Sequence, residues 1–358
     1  MMNDPSRHDV NQPVGEAPDP RLGRVLREGA TPGLLSALAE RLSPADLQTL
    51  LLAVYRRRAA AVTPGLLLRQ YERNRFTTPS ALDPGDLARL DVLVHERLTR
   101  HGFAALALSP VCPLGTNSAV ATVDQNKVLT TVRNTEVVAD ATNVLALECA
   151  VRRRELLRAD ARSRQRVRLG ATHRVLRAQA FADPDMASHF KLLALCTAGR
   201  DEGSFGFETA VLIEQISAHL DVLRSARELG YQASAVRVTV TDLTGGRHRP
   251  ALRERVLASL TRGHPGTTFD LDDERTAGRG YYAGACFEIR ATTPAGDDLN
   301  LADGGFTSWS ADLLSNAKER LLISGLGIER LCERFREHVR PEPGGRSPDG
   351  ETPSPVSP

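Results

Sequence analysis

Apolar positions along the chain change period several times, and each change marks an element. Leu47, Leu50, Leu51 and Val54 fall at helical spacing. So do Leu87, Leu90, Leu93, Val94 and Leu98, in a helix that begins near Asp86 and that His101-Gly102 should stop. Phe103 to Leu108 reads as a strand closed by Pro110. A further strand runs from Val128 to before Arg133, and a helix from about Val138 to Arg153. His173 to Phe181 and His189 to Ala198 read as two strands around a polar loop at Asp183-Pro184-Asp185. Phe207 to Leu229 is a strongly periodic helix. Val236, Val238 and Val240 then alternate in a strand over 235–243. A helix over 249–262 leads to a polar loop, a tyrosine-rich strand at 281–288 and a glycine-containing segment at 301–307. Leu321, Leu322 and Ile323 run as a buried strand into Gly325 and Gly327, after which Ile328, Leu331 and Phe335 resume the helical period.

Breaker residues divide the chain. Residues 1–20 and 341–358 are rich in Pro, Gly, Ser and Asp and poor in large apolar side chains, so neither buries enough to offset its ordering entropy; both are expected to be disordered. Residues 21–80 form a helical module. Thr31-Pro32, Ser43-Pro44 and Thr63-Pro64 each set a capping hydroxyl before a proline suited to a first helical turn. Arg56, Arg57, Arg58, Arg69, Arg73 and Arg75 make the module basic, which is either a solvated face or a dock for RNA, a partner or the main domain. Thr77-Thr78-Pro79-Ser80 and Asp83-Pro84-Gly85 mark the linker, and residues 83–338 carry the large domain.

Composition narrows the class. With 358 residues, 41% hydrophobic and 25% charged, the chain is of ordinary globular make-up. A net charge of +2 gives no global field for nucleic acid, so any such contact must be local. Cys112, Cys149, Cys196, Cys286 and Cys332 are odd in number and lack Cys-x-x-Cys spacing, against a disulfide frame and structural zinc. No apolar run approaches a membrane span and no secretory signal is present, so a cytoplasmic protein is expected.

Candidate chemistry centres on Ser324-Gly325-Leu326-Gly327-Ile328-Glu329-Arg330. A strand that stops on glycines and feeds a helix lets backbone approach a ligand. Arg330 follows just inside the helix, and a planar guanidinium suits phosphate or carboxylate. The alternative is a solvated or salt-bridged arginine at a helix start.

This string resembles the third signature of class II aminoacyl-tRNA synthetases, whose arginine meets the terminal phosphate of ATP. Three further resemblances precede it in order. The helix and strand over 86–113 resemble the first signature and imply a homodimer interface there. Arg177, on a strand before a polar loop and an antiparallel strand, resembles the second and implies a grip on the α-phosphate, with Gln179 at the adenine. Arg133, Thr135 and Glu136 match in type the histidyl branch's residues for the substrate amine, although an acid at a helix start is also favourable by itself. Arg279-Gly280-Tyr281-Tyr282-Ala283-Gly284 resembles the tyrosine strand of histidyl-tRNA synthetase and of the regulatory subunit of ATP phosphoribosyltransferase. On the residues alone it is a pocket lining or a packed sheet edge. Leu301-Ala302-Asp303-Gly304-Gly305-Phe306-Thr307 resembles that group's Gly-Gly element.

The resemblance implies an α+β domain: a six- or seven-stranded, mostly antiparallel sheet flanked by helices, without an anticodon-binding domain. It implies ATP and Mg2+ as cofactors, with Arg177 and Arg330 catalytic and Gln179, Glu288, Gly325 and Gly327 also at the nucleotide, Glu288 beside the metal. An amino-acid substrate would meet Arg133, Thr135, Glu136, Leu192, Cys196, Tyr281, Tyr282, Gly304 and Gly305. Leu192 and Cys196 stand where histidine-specific enzymes have polar readers, so histidine is not the expected substrate. The family's catalytic arginine has no exact counterpart, Arg275 and Arg279 lying to either side. The expected activity is ATP-dependent adenylation of an amino acid, with transfer to a small molecule, a carrier protein or a tRNA. Two other readings are a non-catalytic regulatory subunit like that of ATP phosphoribosyltransferase, and an RNA-binding protein.

Overall fold

A computed structural model describes residues 20–28, 33–121, 123–178, 188–275, 278 and 280–337. Apart from Pro20, the two expected disordered tails lie outside the described residues, as do the cap at Thr31, Gln179 and the loop at Asp183-Pro184-Asp185. The chain divides into two compact units, residues 1–69 with 132–134, and residues 70–131 with 135–358.

The first unit is helical. It holds α1 (Pro20–Glu28), the single turn α2 (Leu34–Ser36) extended by a wider turn to Arg41, α3 (Pro44–Ala60) and most of α4 (Pro64–Arg73). Ser43 caps α3 as its position before Pro44 requires, its hydroxyl accepting from the Asp46 amide at 3.1 Å. Thr63 does the same for Leu66 at 3.3 Å.

The second unit is a sheet domain. Its elements are α5 (Pro84–Arg100), β1 (Ala104–Ala105), β2 (Val111–Pro113), β3 (Thr135–Val137), α6 (Ala141–Ala159), β4 (Val167–Leu176) and β5 (His189–Arg200). Then follow α7 (Gly206–Ala226), β6 (Ser234–Asp242), α8 (Arg249–Ala251), which a wide turn joins to α9 (Ala258–Gly263), and β7 (Thr268–Leu271). β8 (Ala285–Thr292), β9 (Asp298–Thr307), α10 (Trp309–Leu314), β10 (Glu319–Gly327) and α11 (Ile328–Arg334) complete it. Eight strands form one sheet in the order β1-β4-β5-β10-β9-β8-β6-β7, antiparallel except at its two edge pairs, and β2 pairs with β3 apart from it.

The eighth strand is a correction to the sequence reading. β7 came from the stretch read as a polar loop, because only Phe269 and Leu271 of its four residues face the core. The strand expected from Phe103 to Leu108 shortens to two residues at the opposite edge. The strand expected before Arg133 lies after it instead: Asn134 turns the chain at φ 52°, and Thr130 keeps a single bridge to Glu136.

Both faces of the sheet are covered, which explains the unbroken apolar run Leu192 to Cys196 in β5. Leu193 and Leu195 face α5 and α7, in one core. Leu192, Ala194 and Cys196 face the other way, with Leu145 and Cys149 of α6. Asp83 caps α5, accepting from the Asp86 amide at 2.9 Å, and Gly102 ends it at φ 73°. Inside the second core the Arg153 guanidinium donates twice to Glu319, at 2.7 and 2.9 Å, and also to the Ser163 and Gln165 carbonyls, with both side chains fully buried.

Candidate functional site

The site is built from rows of residues across the sheet. Register places Ala194, Gly325, Asp303 and Glu288 side by side on β5, β10, β9 and β8. Directly paired residues point to the same face, here the α6 face. Along β10 that face reads Leu321, Ile323, Gly325, Gly327: two bulky side chains, then none. The floor therefore drops where the glycines begin, and a cleft of about 690 Å3 opens over it. That volume is within the range for small-molecule sites, roughly 300–1,000 Å3.

Two arginines line this cleft. Gly327 and His173 both pair with Leu192, from opposite sides of β5. Arg330 and Arg177 each lie a few residues beyond that row, at the same end of the sheet. With strands about 4.8 Å apart, their backbones leave the sheet on lines roughly 10 Å from each other. Both side chains line the cleft. Arg177 donates to the Ala139 carbonyl and to Asp140, each at 3.2 Å, and its guanidinium lies 5.1 Å from the centre of the Phe190 ring. Asp140 and Arg177 both keep part of their surface open, so the pair is not sealed. Arg330 is exposed and donates to the Asn300 carbonyl at 2.8 Å. Its neighbour Glu329 is buried and tied to Arg174 and to Ser80.

Of the residues singled out in the sequence, Arg177, Arg330, Leu192, Tyr281, Tyr282, Gly325 and Gly327 line the cleft together. Burial pushes both tyrosine phenols far up, so they stay protonated. Gly304 and Gly305 serve packing. A Cβ on Gly305 would lie 2.5 Å from the Tyr282 ring, and one on Gly304 2.4 Å from the Ser324 Cβ. Cys196 is fully buried under the floor, its thiol 3.6 Å from the Thr142 carbonyl. Arg133 partitions with the helical unit, and the Thr135 hydroxyl bonds that of Thr131 at 2.7 Å.

Glu136 is not at the cleft. It is wholly buried and accepts from the Gly115 amide at 3.0 Å, the Asn117 amide at 2.8 Å and side chain at 2.7 Å, and Gln125 at 2.8 Å. Burial alone would raise its carboxyl, but these donors outweigh burial and hold it below the usual range. It clamps the 115–125 loop. Nor does Glu288 fit a magnesium ligand, because Arg290 and Asn300 each donate to it at 2.9 Å and Arg275 lies 3.8 Å away. Among the described residues no group of three or more His, Cys, Asp or Glu side chains is arranged to hold a metal.

The residues missed are the cleft's own acids and their support. Asp140 caps α6, accepting from the Thr142 amide at 2.9 Å and hydroxyl at 2.8 Å, and both residues line the cleft next to Arg177. A polar residue opening an apolar helix was the available signal, and it lay four to seven residues beyond the positions chosen. Asp303 had no such signal, since its place depends on register with Gly325. Arg275, one of the two displaced arginines, is buried between Glu288 and Asp303.

No family model and no curated protein matches the chain by sequence. Solved structures do match. A histidyl-tRNA synthetase from S. aureus superposes with a TM-score of 0.53 at 15% identity, over 71% of this chain and 67% of that one. An ATP phosphoribosyltransferase regulatory subunit/histidyl-tRNA synthetase from Bacillus halodurans gives 0.52 at 15%, over 73% and 82%. The fold is that of a class II aminoacyl-tRNA synthetase. Within that class II fold, the strand-glycine-helix turn of β10 and α11 and the end of β4 border one cleft. No helix among the described residues is long and apolar enough to cross a membrane.

Proposed function

We propose that the protein activates an amino acid with ATP, forming an aminoacyl-adenylate and releasing pyrophosphate. The single observation carrying this reading is that Arg177 and Arg330 line one cleft from the same end of the sheet. Arg177 binds the α-phosphate, leaving Asp140 for the incoming α-ammonium, and Arg330 binds the terminal phosphate. The Phe190 ring beside Arg177 offers a face for a base. A carboxylate oxygen of the substrate attacks the α-phosphorus, the bond to the bridging oxygen breaks, and pyrophosphate carries the electron pair away. Such transfer is mainly positioning and charge stabilisation, which suits a cleft lined by two arginines. Glu288 is engaged by Arg290 and Asn300, so no magnesium role is assigned to it. ATP-pyrophosphate exchange over a panel of amino acids tests the reading. Exchange with one of them supports it; no exchange with any, together with no ATP binding, refutes it.

A second reading, a non-catalytic regulatory subunit, draws on the likeness to the Bacillus halodurans protein and on the partner that Arg177 already has in Asp140. It predicts a stable complex with an ATP phosphoribosyltransferase, which co-purification would reveal.

A further inference from the structure

The cleft holds one carboxylate more than an α-ammonium needs. Four acids line it: Asp140, Asp303, Glu329 and Glu333. Glu329 is tied to Arg174 and Ser80, and Glu333 stands one turn further along α11, away from the floor. Asp140 lies next to Arg177, where the α-ammonium of a substrate whose carboxylate attacks the α-phosphorus would sit. Asp303 remains, on the floor.

Its surroundings are those of a carboxylate awaiting a ligand. On the β10 side its row continues with Gly325, which has no side chain, and then the buried Ala194, so among the described residues no side chain on that side of the row stands between Asp303 and the cleft it lines. Its neighbours on the remaining sides stand off: the Tyr282 hydroxyl at 3.5 Å and the Arg275 guanidinium at 3.7 Å, the latter shared with Glu288 at 3.8 Å. A charge-assisted hydrogen bond closes to about 2.7–2.9 Å, so the contacts of Asp303 with Tyr282 and Arg275 are long ones. The Asp303 side chain keeps 48% of its surface open to the cleft, yet its depth in the domain pushes the carboxyl up, and Asp140 and Glu288 add to the push against the pull of Arg275. A cation placed over Gly325 would relieve that repulsion. The rest of this corner is apolar or aromatic, with Leu192, Ile323 and the Tyr282 ring, and it suits the methylene stem of a long side chain.

We propose that Asp303 selects the substrate, and that the substrate is an amino acid with a cationic side chain whose distal ammonium or guanidinium sits over Gly325. This rests on the adenylation reading and goes beyond it by naming the class of amino acid.

The test is ATP-pyrophosphate exchange with lysine, ornithine, 2,4-diaminobutyrate and arginine against norleucine, methionine, leucine and phenylalanine, for the natural chain and for Asp303→Asn. Calorimetric binding of the same amino acids without ATP runs in parallel, and melting curves confirm that the isosteric variant is folded. The expected result is preference for a cationic amino acid, lost on Asp303→Asn by about a hundredfold in kcat/KM, the size of one desolvated charge-assisted contact. A neutral amino acid exchanging best, or a cationic one indifferent to Asp303→Asn, overturns the inference and leaves adenylation standing. Absence of all exchange strikes the adenylation reading instead. Calorimetry then decides this inference alone: cationic ligands bound by the natural chain and not by Asp303→Asn support it, and no binding of any of them overturns it.

Discussion

Asn300 and Asp303 project from the same face of β9 although they are three positions apart. In a regular strand that odd separation would put them on opposite faces. Pairing with β8 explains the exception: Arg290 pairs with Asn300 and Ile289 with Ala302, which leaves Leu301 as an extra residue. This bulge brings the Asn300 side chain onto the cleft face, where it donates to Glu288, and brings its carbonyl to Arg330. Bulges commonly re-aim side chains in this way beside functional sites. Asn300→Ala would remove the donor that the bulge presents to Glu288 on the cleft wall. Any ATP binding by the Asn300→Ala variant is expected to weaken several-fold while the melting curve stays cooperative, as calorimetry and thermal unfolding would show.

Gly305 seats the Tyr282 ring, with no space for a methyl group between them. Gly305→Ala must shift β9 or the ring, and overpacking of this kind costs about 1–3 kcal/mol. Urea unfolding should show that loss, and tyrosine fluorescence should report the displaced ring. A melting temperature unchanged from the natural chain would contradict the packing role.

The fully buried Arg153–Glu319 pair makes a contrast of single and double variants informative. Glu319→Ala strands a guanidinium in the core and should cost about 3–5 kcal/mol. Replacing both residues, as in Arg153→Met with Glu319→Leu, should recover most of that loss, since two apolar groups leave no unpaired charge. A double variant no more stable than Glu319→Ala would count against this account.

Glu136 ties stability to pH in a defined direction. Its folded carboxyl is held below the usual value despite its burial, because amide and side-chain donors favour the charged form. A group with a depressed folded pKa contributes fully above its unfolded value, about 4.3 for glutamate. That contribution is lost as pH falls through the folded value. Glu136→Gln should therefore lower stability at pH 7 by about 1–3 kcal/mol and flatten the decline below pH 4. Equal acid sensitivity of the two proteins in urea unfolding would remove Glu136 from the list of acid-labile contacts.

What the sequence made legible was local. The run from Leu321 through Gly327 to Arg330 encodes strand, glycine floor and helix in consecutive residues, so both the turn and its arginine were found. Arg177 was readable because it stands at the end of one long strand and before another. Residues whose place depends on register were not readable. Asp303 faces the cleft because Gly325 lies across from it, and Asn300 because of one unpaired residue. Glu136 looked like a binding acid because its four donors come from residues 115–125, which sequence alone does not fold back onto it. The edge strand β7 was too short for period to reveal, and β1 keeps only two of the six residues read as a strand.

The most direct test of the central claim is calorimetric titration of ATP, ADP and AMP into the natural chain, Arg177→Ala and Arg330→Ala. If the two arginines hold opposite ends of one triphosphate, Arg330→Ala binds ATP no better than ADP, while Arg177→Ala weakens all three nucleotides, each variant losing about 3 kcal/mol for its contact. Equal affinity of all three proteins for ATP, or no ATP binding by the natural chain, would contradict it.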